Sequence, residues 1–135
     1  MRPLVLILAA LLLAVPPAAP AAAQPQPEWR RHADHDVLLE PFDIEPAPLR
    51  LEAGRPVALR FVNSGQRSLS FSAPAFFRAA RIRPGDEEAI RGGTIELAAG
   101  ERRTIYLVPT AGRYRMRSAN LFHRLLGMSG RIIVE

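Results

Sequence analysis

The 135-residue chain contains no cysteine. That single absence excludes disulfides, thiolate metal ligation and cysteine nucleophiles, and it leaves stability to a packed core. Lysine is absent as well, so all 18 basic residues are arginine. With the abundant Ala and Pro, this reads as compositional bias rather than as a device. No Gly-x-Ser-x-Gly elbow, phosphate-binding glycine loop or His-rich zinc motif occurs. Ser118 and His123 resemble a nucleophile and its base, but no third orienting group or oxyanion donors can be named beside them. The expectation is a protein that is not an enzyme. No helical stretch is long enough for the crossover of a parallel α/β unit, which turns the reading toward strands.

The one long apolar run, Leu4 to Val15, is shorter than the roughly 20 residues that span a bilayer. It follows Arg2 and leads into Ala21-Ala22-Ala23 before Gln24, the layout of a secretory signal peptide. Residues 1–23 are therefore expected to be removed near Ala23, with a periplasmic or secreted product and no transmembrane segment in the mature chain. Without Arg2 the remainder carries 17 arginines against 13 carboxylates, a net charge of +4. So small an excess, spread along an exported chain, argues against a nucleic-acid partner.

Residues 24–34 open with Pro-Gln-Pro and read as a flexible leader. A single domain over 35–135 follows. Alternating apolar side chains predict strands at His35 to Glu40, Leu49 to Glu52, Pro56 to Asn63, Ser68 to Ser72, Thr94 to Leu97, Arg103 to Val108, Arg113 to Ser118 and Arg131 to Val134. Turns such as Asn63-Ser64-Gly65 and Ala111-Gly112 separate them. About eight short strands with turns between them predict an all-β, antiparallel Greek-key sandwich. Short helical turns are expected near Phe76 to Ile82 and Ala119 to Leu126, both in connections rather than in the core layers. Pro84 to Gly93, with its acidic Asp86-Glu87-Glu88, reads as an exposed loop.

Strand parity orients the last quarter of the chain. Tyr114, Met116 and Ser118 share one face, and Arg113, Arg115 and Arg117 share the other. Unpaired arginines are rarely buried, so the arginine face is the wet one and Ser118 points inward. By the same parity Leu69, Phe71 and Ala73 face together, with Ser68, Ser70 and Ser72 turned away.

Gly112-x-Tyr114-x-x-x-Ser118, then His123, Gly127-Met128 and Gly130 ahead of a final strand, resembles the ligand loop of the cupredoxins, the plastocyanin and azurin type. Leu49-Arg-Leu-Glu-Ala-Gly54-Arg-Pro-Val57, Glu96-Leu-Ala-Ala-Gly100 and Ser72-Ala-Pro74-Ala-Phe76-Phe77 extend the resemblance to small exported bacterial members, from about His35 to Glu135. It implies a cupredoxin-like fold and a copper site at four positions. The cysteine position is held by Ser118. The first histidine position, six residues after Asn63, is held by Leu69, or by Ser68 if the register slips by one. His123 and Met128 keep the other two. A blue-copper centre needs two imidazoles and a thiolate with a weak axial thioether, so the site is degenerate.

Three functions follow from that resemblance. The chain is a binding module that contacts an envelope protein partner, or a copper-handling protein using His123 and Met128, or an electron-transfer protein, for which the thiolate is missing. His123 can equally be a half-buried structural histidine, and Met128 a core filler. A second metal candidate is His32 with His35 and the neighbouring Asp34 and Asp36, which either chelate a divalent ion on a mobile leader or are a solvated polar segment; with the leader folded over the loop end, His32 or His35 would instead supply the ligand that Leu69 does not. The ladder Arg113, Arg115 and Arg117, extended by Arg102, Arg103 or Arg131, either docks on an acidic protein or anionic lipid, or is a plain wet sheet face that also discourages strand aggregation.

Overall fold

Period-two patterning becomes sheet throughout the computed structural model, which describes residues 14–20, 25–118 and 129–135. Among the described residues there are ten strands: β1 Ala33–Glu40, β2 Asp43–Glu45, β3 Leu49–Leu51, β4 Val57–Asn63, β5 Leu69–Ser72, β6 Arg81–Ile82, β7 Thr94–Leu97, β8 Arg102–Val108, β9 Gly112–Arg117 and β10 Ser129–Val134. They form two five-stranded sheets, ordered β2-β1-β4-β8-β6 and β3-β10-β9-β5-β7. In β4 the alternation is direct: Val57, Leu59 and Phe61 point inward while Arg60 stays in solvent. Phe61 meets Phe71 of β5 across the interior with ring centroids 4.8 Å apart, which joins the two sheets through one apolar core.

The sandwich is as expected, with two additions and one change of direction. β2 and β6, three and two residues long, were not visible as strands. They form because β1 and β8 offer them backbone partners, through pairs such as Leu39 with Ile44 and Ile82 with Leu107. The sheets are mixed rather than wholly antiparallel, since β1 runs parallel to β4 and β3 runs parallel to β10. The chain crosses between sheets at β2 to β3 to β4, so β4 arrives alongside β1 in the same direction. The first strand begins at Ala33, two residues before His35, where Ala33 N–H donates to the Pro56 carbonyl at 3.1 Å.

The helical turn near Phe76 is α1, Pro74–Ala79, in the connection between β5 and β6 as expected, and it also contributes to the core. Phe76 and Phe77 are buried in the core, with Phe77 6.0 Å from Phe71 and Phe76 5.6 Å from Tyr114 between ring centroids. Pro74 sits in the first turn of the helix, where its missing N–H costs nothing. The acidic loop is pinned rather than free: Asp86 pairs with Arg83 at 3.0 Å and accepts the Tyr106 N–H at 2.9 Å. The Arg83 guanidinium stacks 3.9 Å from the Tyr106 ring centre, a cation–π contact.

Tyr114 closes the β8–β9 turn. Its hydroxyl donates to the carbonyl of Thr110 at 2.9 Å and lies 3.3 Å from that of Ala111, the tyrosine-corner arrangement of β-sandwiches. The ring lies over Gly112, where a Cβ would stand 2.9 Å from the Tyr114 oxygen, so glycine is required by contact. Among the described residues no helix is long and apolar enough to cross a membrane.

Candidate functional site

The end of the sandwich that would carry a ligand loop is organised by Asn63, the last residue of β4. Its side chain is buried. Nδ2 lies 2.8 Å from the carbonyl oxygen of Arg67 and 3.1 Å from those of Leu97 and Ala98, while Oδ1 accepts the Gly65 N–H at 2.8 Å. Backbone bonds from Asn63 N–H to Glu101 O and from Gly100 N–H to Asn63 O complete the knot. One amide thereby ties the β4–β5 turn to the β7–β8 turn. The sequence marks Asn63 only as a turn residue, because its partners lie 34 and 35 positions away.

Asn63 sets the start of β5, and with it Leu69. Leu69 is buried and pairs with Leu97 of β7, so the inward register is the one read from the alternation. Ser118, directly after β9, is fully buried. Its Oγ lies 3.4 Å from Ser70 Oγ, which brings it beside the residue that follows Leu69. The contact joins the end of β9 to β5 through Ser70, whose side chain alternates with that of Leu69. Ser70 and Ser72, which alternate with Leu69 and Phe71, are buried too. β5 is flanked on both sides, by β9 and β7, and Ser72 Oγ accepts a 3.0 Å bond from Thr94 Oγ1.

An aliphatic side chain and a neutral hydroxyl do not fit a type 1 copper ion, which needs imidazole and thiolate donors there. His123 and Met128, and the helical turn expected at Ala119 to Leu126, lie outside the described residues, as does most of the 1–23 segment. Among the described residues no group of three or more His, Asp, Glu or Cys could hold a metal ion.

The structure does not bring the N-terminal histidines to this end. Because β1 is parallel to β4, Ala33 stands beside Val57 and His35 beside Leu59, whereas Leu39 stands beside Asn63. Four residues of strand, about 13 Å, separate His35 from the Asn63 end, so the leader is not folded over the loop end. Nor do the two imidazoles meet. His32 Nδ1 is 2.8 Å from the Trp29 carbonyl oxygen, Nε2 is 3.2 Å from Asp34 Oδ1, and the ring packs edge-on against Tyr106 at 5.0 Å. Tyr106 pairs with Ala58 on the outer face of the sheet, whereas His35 shares the inner-face parity of Val37 and Leu39. Asp36 is committed to Arg60 through bonds of 2.7 and 2.9 Å, and that guanidinium holds its carboxyl below the usual aspartate range.

The arginine ladder is wet, as parity requires: Arg113, Arg115 and Arg117 are exposed while Met116 and Ser118 are buried. Its extension differs from expectation. Arg102 and Arg103 lie on β8 in the other sheet, and Arg103 pairs with Glu101 at 2.6 Å. Arg131 of β10 stands directly opposite Arg115. Arg50 of β3, which the sequence did not single out, joins the same face through its pairing with Ile133.

No family model matches this sequence, and no curated protein matches it. Solved structures do resemble the fold. Dithionite-reduced auracyanin from Roseiflexus castenholzii superposes with a TM-score of 0.56 at 17% identity, over 78% of this chain and 98% of that one. Auracyanin B gives 0.56 at 19% identity, over 84% and 93%. A multicopper oxidase from Campylobacter jejuni gives 0.57 at 11% identity, over 84% of this chain and 31% of that one. Auracyanin is a cupredoxin, and the chain has a cupredoxin-like fold. At such identities the likeness concerns architecture, and function has to be argued from the site.

Proposed function

We propose that this cupredoxin-like sandwich is an exported, non-enzymatic binding module that acts through its surface rather than through a type 1 copper centre. The observation that supports this reading is the buried Ser118 hydroxyl beside Ser70, next to the aliphatic Leu69. Thiolate character makes a blue-copper centre, and a chain without cysteine has no thiolate to offer. A neutral hydroxyl engaged with its neighbours is a packing element. The same lack of a thiolate argues against electron transfer through this position.

A second reading is supported by His123 and Met128, an imidazole and a thioether five residues apart in the sequence. Soft ligands of this kind suit Cu(I), and a protein that buffers or passes on copper in the envelope would need no colour. Competition titration with Cu(I) and Cu(II) against chromophoric chelators, on wild type, His123→Ala and Met128→Ala, separates the two. The surface-binding reading expects weak binding that is unchanged in both variants. Sub-micromolar Cu(I) affinity lost in either variant would replace it with copper handling. Export is checked by N-terminal sequencing of the protein recovered from the cell envelope, with a new terminus expected near Gln24.

A further inference from the structure

Resting on the surface-binding reading above, we propose that the outer face of β3, β10 and β9 docks flat against an anionic phospholipid surface. Arg113, Arg115 and Arg117 recur at every second residue of β9, which puts their guanidinium groups on one face about 7 Å apart along the strand. The register then gathers the others. Arg131 is directly opposite Arg115, Ser129 is opposite Arg117, and Ile133 stands between Arg113 and Arg50. Five guanidinium groups on three adjacent strands cover a patch of roughly 14 by 10 Å.

The fold does not neutralise this patch. Arg115 and Arg131 are like charges directly opposite one another, which is unfavourable, and successive arginines along β9, about 7 Å apart, lie within the ~8 Å screening length of physiological salt. Elsewhere the chain solves the same problem with carboxylates, pairing Arg60 with Asp36, Arg83 with Asp86 and Arg103 with Glu101. None of the five makes a salt bridge among the described residues. Four of the five are not edge charges that block strand addition, because β9 and β10 lie inside the strand order of their sheet; only Arg50, on β3, stands on an edge. An anion from outside the molecule is what relieves the repulsion.

The shape of the face selects the kind of anion. The apolar side chains of these strands, Met116, Ile132 and Val134, are buried, and the half-exposed Ile133 is the apolar residue left among the arginines. A stable protein interface buries about 800 Å² per partner, with hot spots drawn from Trp, Tyr and Arg. This patch has arginines but no exposed aromatic side chain to seat in a partner's pocket. A dense plane of phosphates matches it better, since guanidinium forks bind phosphate oxygens in pairs, and an exported chain works beside phospholipid membranes.

Co-sedimentation of the purified protein with phosphatidylglycerol-containing vesicles tests this, with pure phosphatidylcholine vesicles as the neutral control. Binding is expected to the anionic vesicles alone and to be reversed by added salt. The variant Arg113→Gln/Arg115→Gln/Arg131→Gln should bind on the order of a hundredfold more weakly, from roughly fivefold per guanidinium. Arg67→Gln/Arg78→Gln/Arg102→Gln loses the same charge from exposed positions elsewhere and should keep most of the binding. Thermal unfolding verifies that each variant is folded, and Arg115→Gln alone, expected to bind several-fold more weakly, serves if the triple variant is not. Equal loss in the two triple variants, equal binding to neutral vesicles, or no binding at low salt overturns the proposal. The copper titration reports on different residues, so the surface-binding reading and its lipid partner fail separately.

Discussion

The side-chain oxygens of Ser70 and Ser118 lie 3.4 Å apart in the interior, linking β5 to the residue that leaves β9. Ser118 thus touches the residue that follows Leu69, and the resemblance to the cupredoxin ligand loop implies that Leu69 and Ser118 stand at two ligand positions. Leu69→His combined with Ser118→Cys is therefore expected to give an intensely coloured protein on adding Cu(II), with neither single variant coloured. A double variant that keeps its cooperative thermal unfolding and stays colourless would mean that these two residues are not at ligand positions.

Asn63→Leu keeps the approximate volume of the side chain and removes its hydrogen bonds. The carbonyls of Arg67, Leu97 and Ala98 lose their donor and Gly65 N–H loses its acceptor. Leaving buried groups unsatisfied should destabilise the domain by about 3 kcal/mol, measured by urea unfolding. A cost below about 1 kcal/mol would show that water replaces the amide readily.

Tyr114→Phe removes the hydroxyl bonds to Thr110 and Ala111 but retains the ring against Phe76, for an expected cost of about 1 kcal/mol. Gly112→Ala should cost more, because its Cβ would meet the Tyr114 oxygen at 2.9 Å. In the Tyr114→Phe background part of that clash is gone. The double-mutant cycle should accordingly be non-additive, with a combined cost smaller than the sum.

Arg131→Glu converts the repulsion with Arg115 into a cross-strand ion pair. Stability should rise by about 0.5 kcal/mol at low salt and the gain should shrink as salt screens the pair. Melting temperatures of both proteins across a salt series give the answer. A gain that does not depend on salt would point to packing instead of charge.

Glu101 accepts the Ala98 N–H at 2.7 Å and a bond from Arg103 at 2.6 Å. The backbone bond first, and then the arginine, holds its carboxyl below the usual glutamate range. A carboxyl depressed in the folded state stabilises fully above its unfolded-state value, near 4.3, and that contribution is lost as pH falls through the lower folded-state value. Glu101→Gln should therefore lose less stability than wild type on acidification below about pH 5, with the two curves converging in acid. Parallel curves would show that the bond is not maintained in solution.

Local parity was legible because it needs only neighbouring residues. It put Arg113, Arg115 and Arg117 in water and Ser118 inside, and it kept Leu69 inward, as the structure has them. It failed where a neighbour outside the segment decides. Asp43–Glu45 and Arg81–Ile82 are too short to show a period and become strands only beside β1 and β8. Alternation sets Ser70 and Ser72 on the face opposite Leu69 but does not tell that they are buried. Phe76 and Phe77 lie in a connection, as read, yet their side chains fill the core.

What the sequence determined by itself is chemical inventory and parity: no arrangement of this chain can present a thiolate, and a strand shows alternate residues to opposite faces. Tertiary structure decided which inventories meet. The crossing that makes β1 parallel to β4 leaves His35 far from Asn63, while the pairing of β9 with β10 and of β10 with β3 assembles arginines from distant segments on one face. Strand order and direction come from how the whole chain buries its apolar surface, a property that no local window contains.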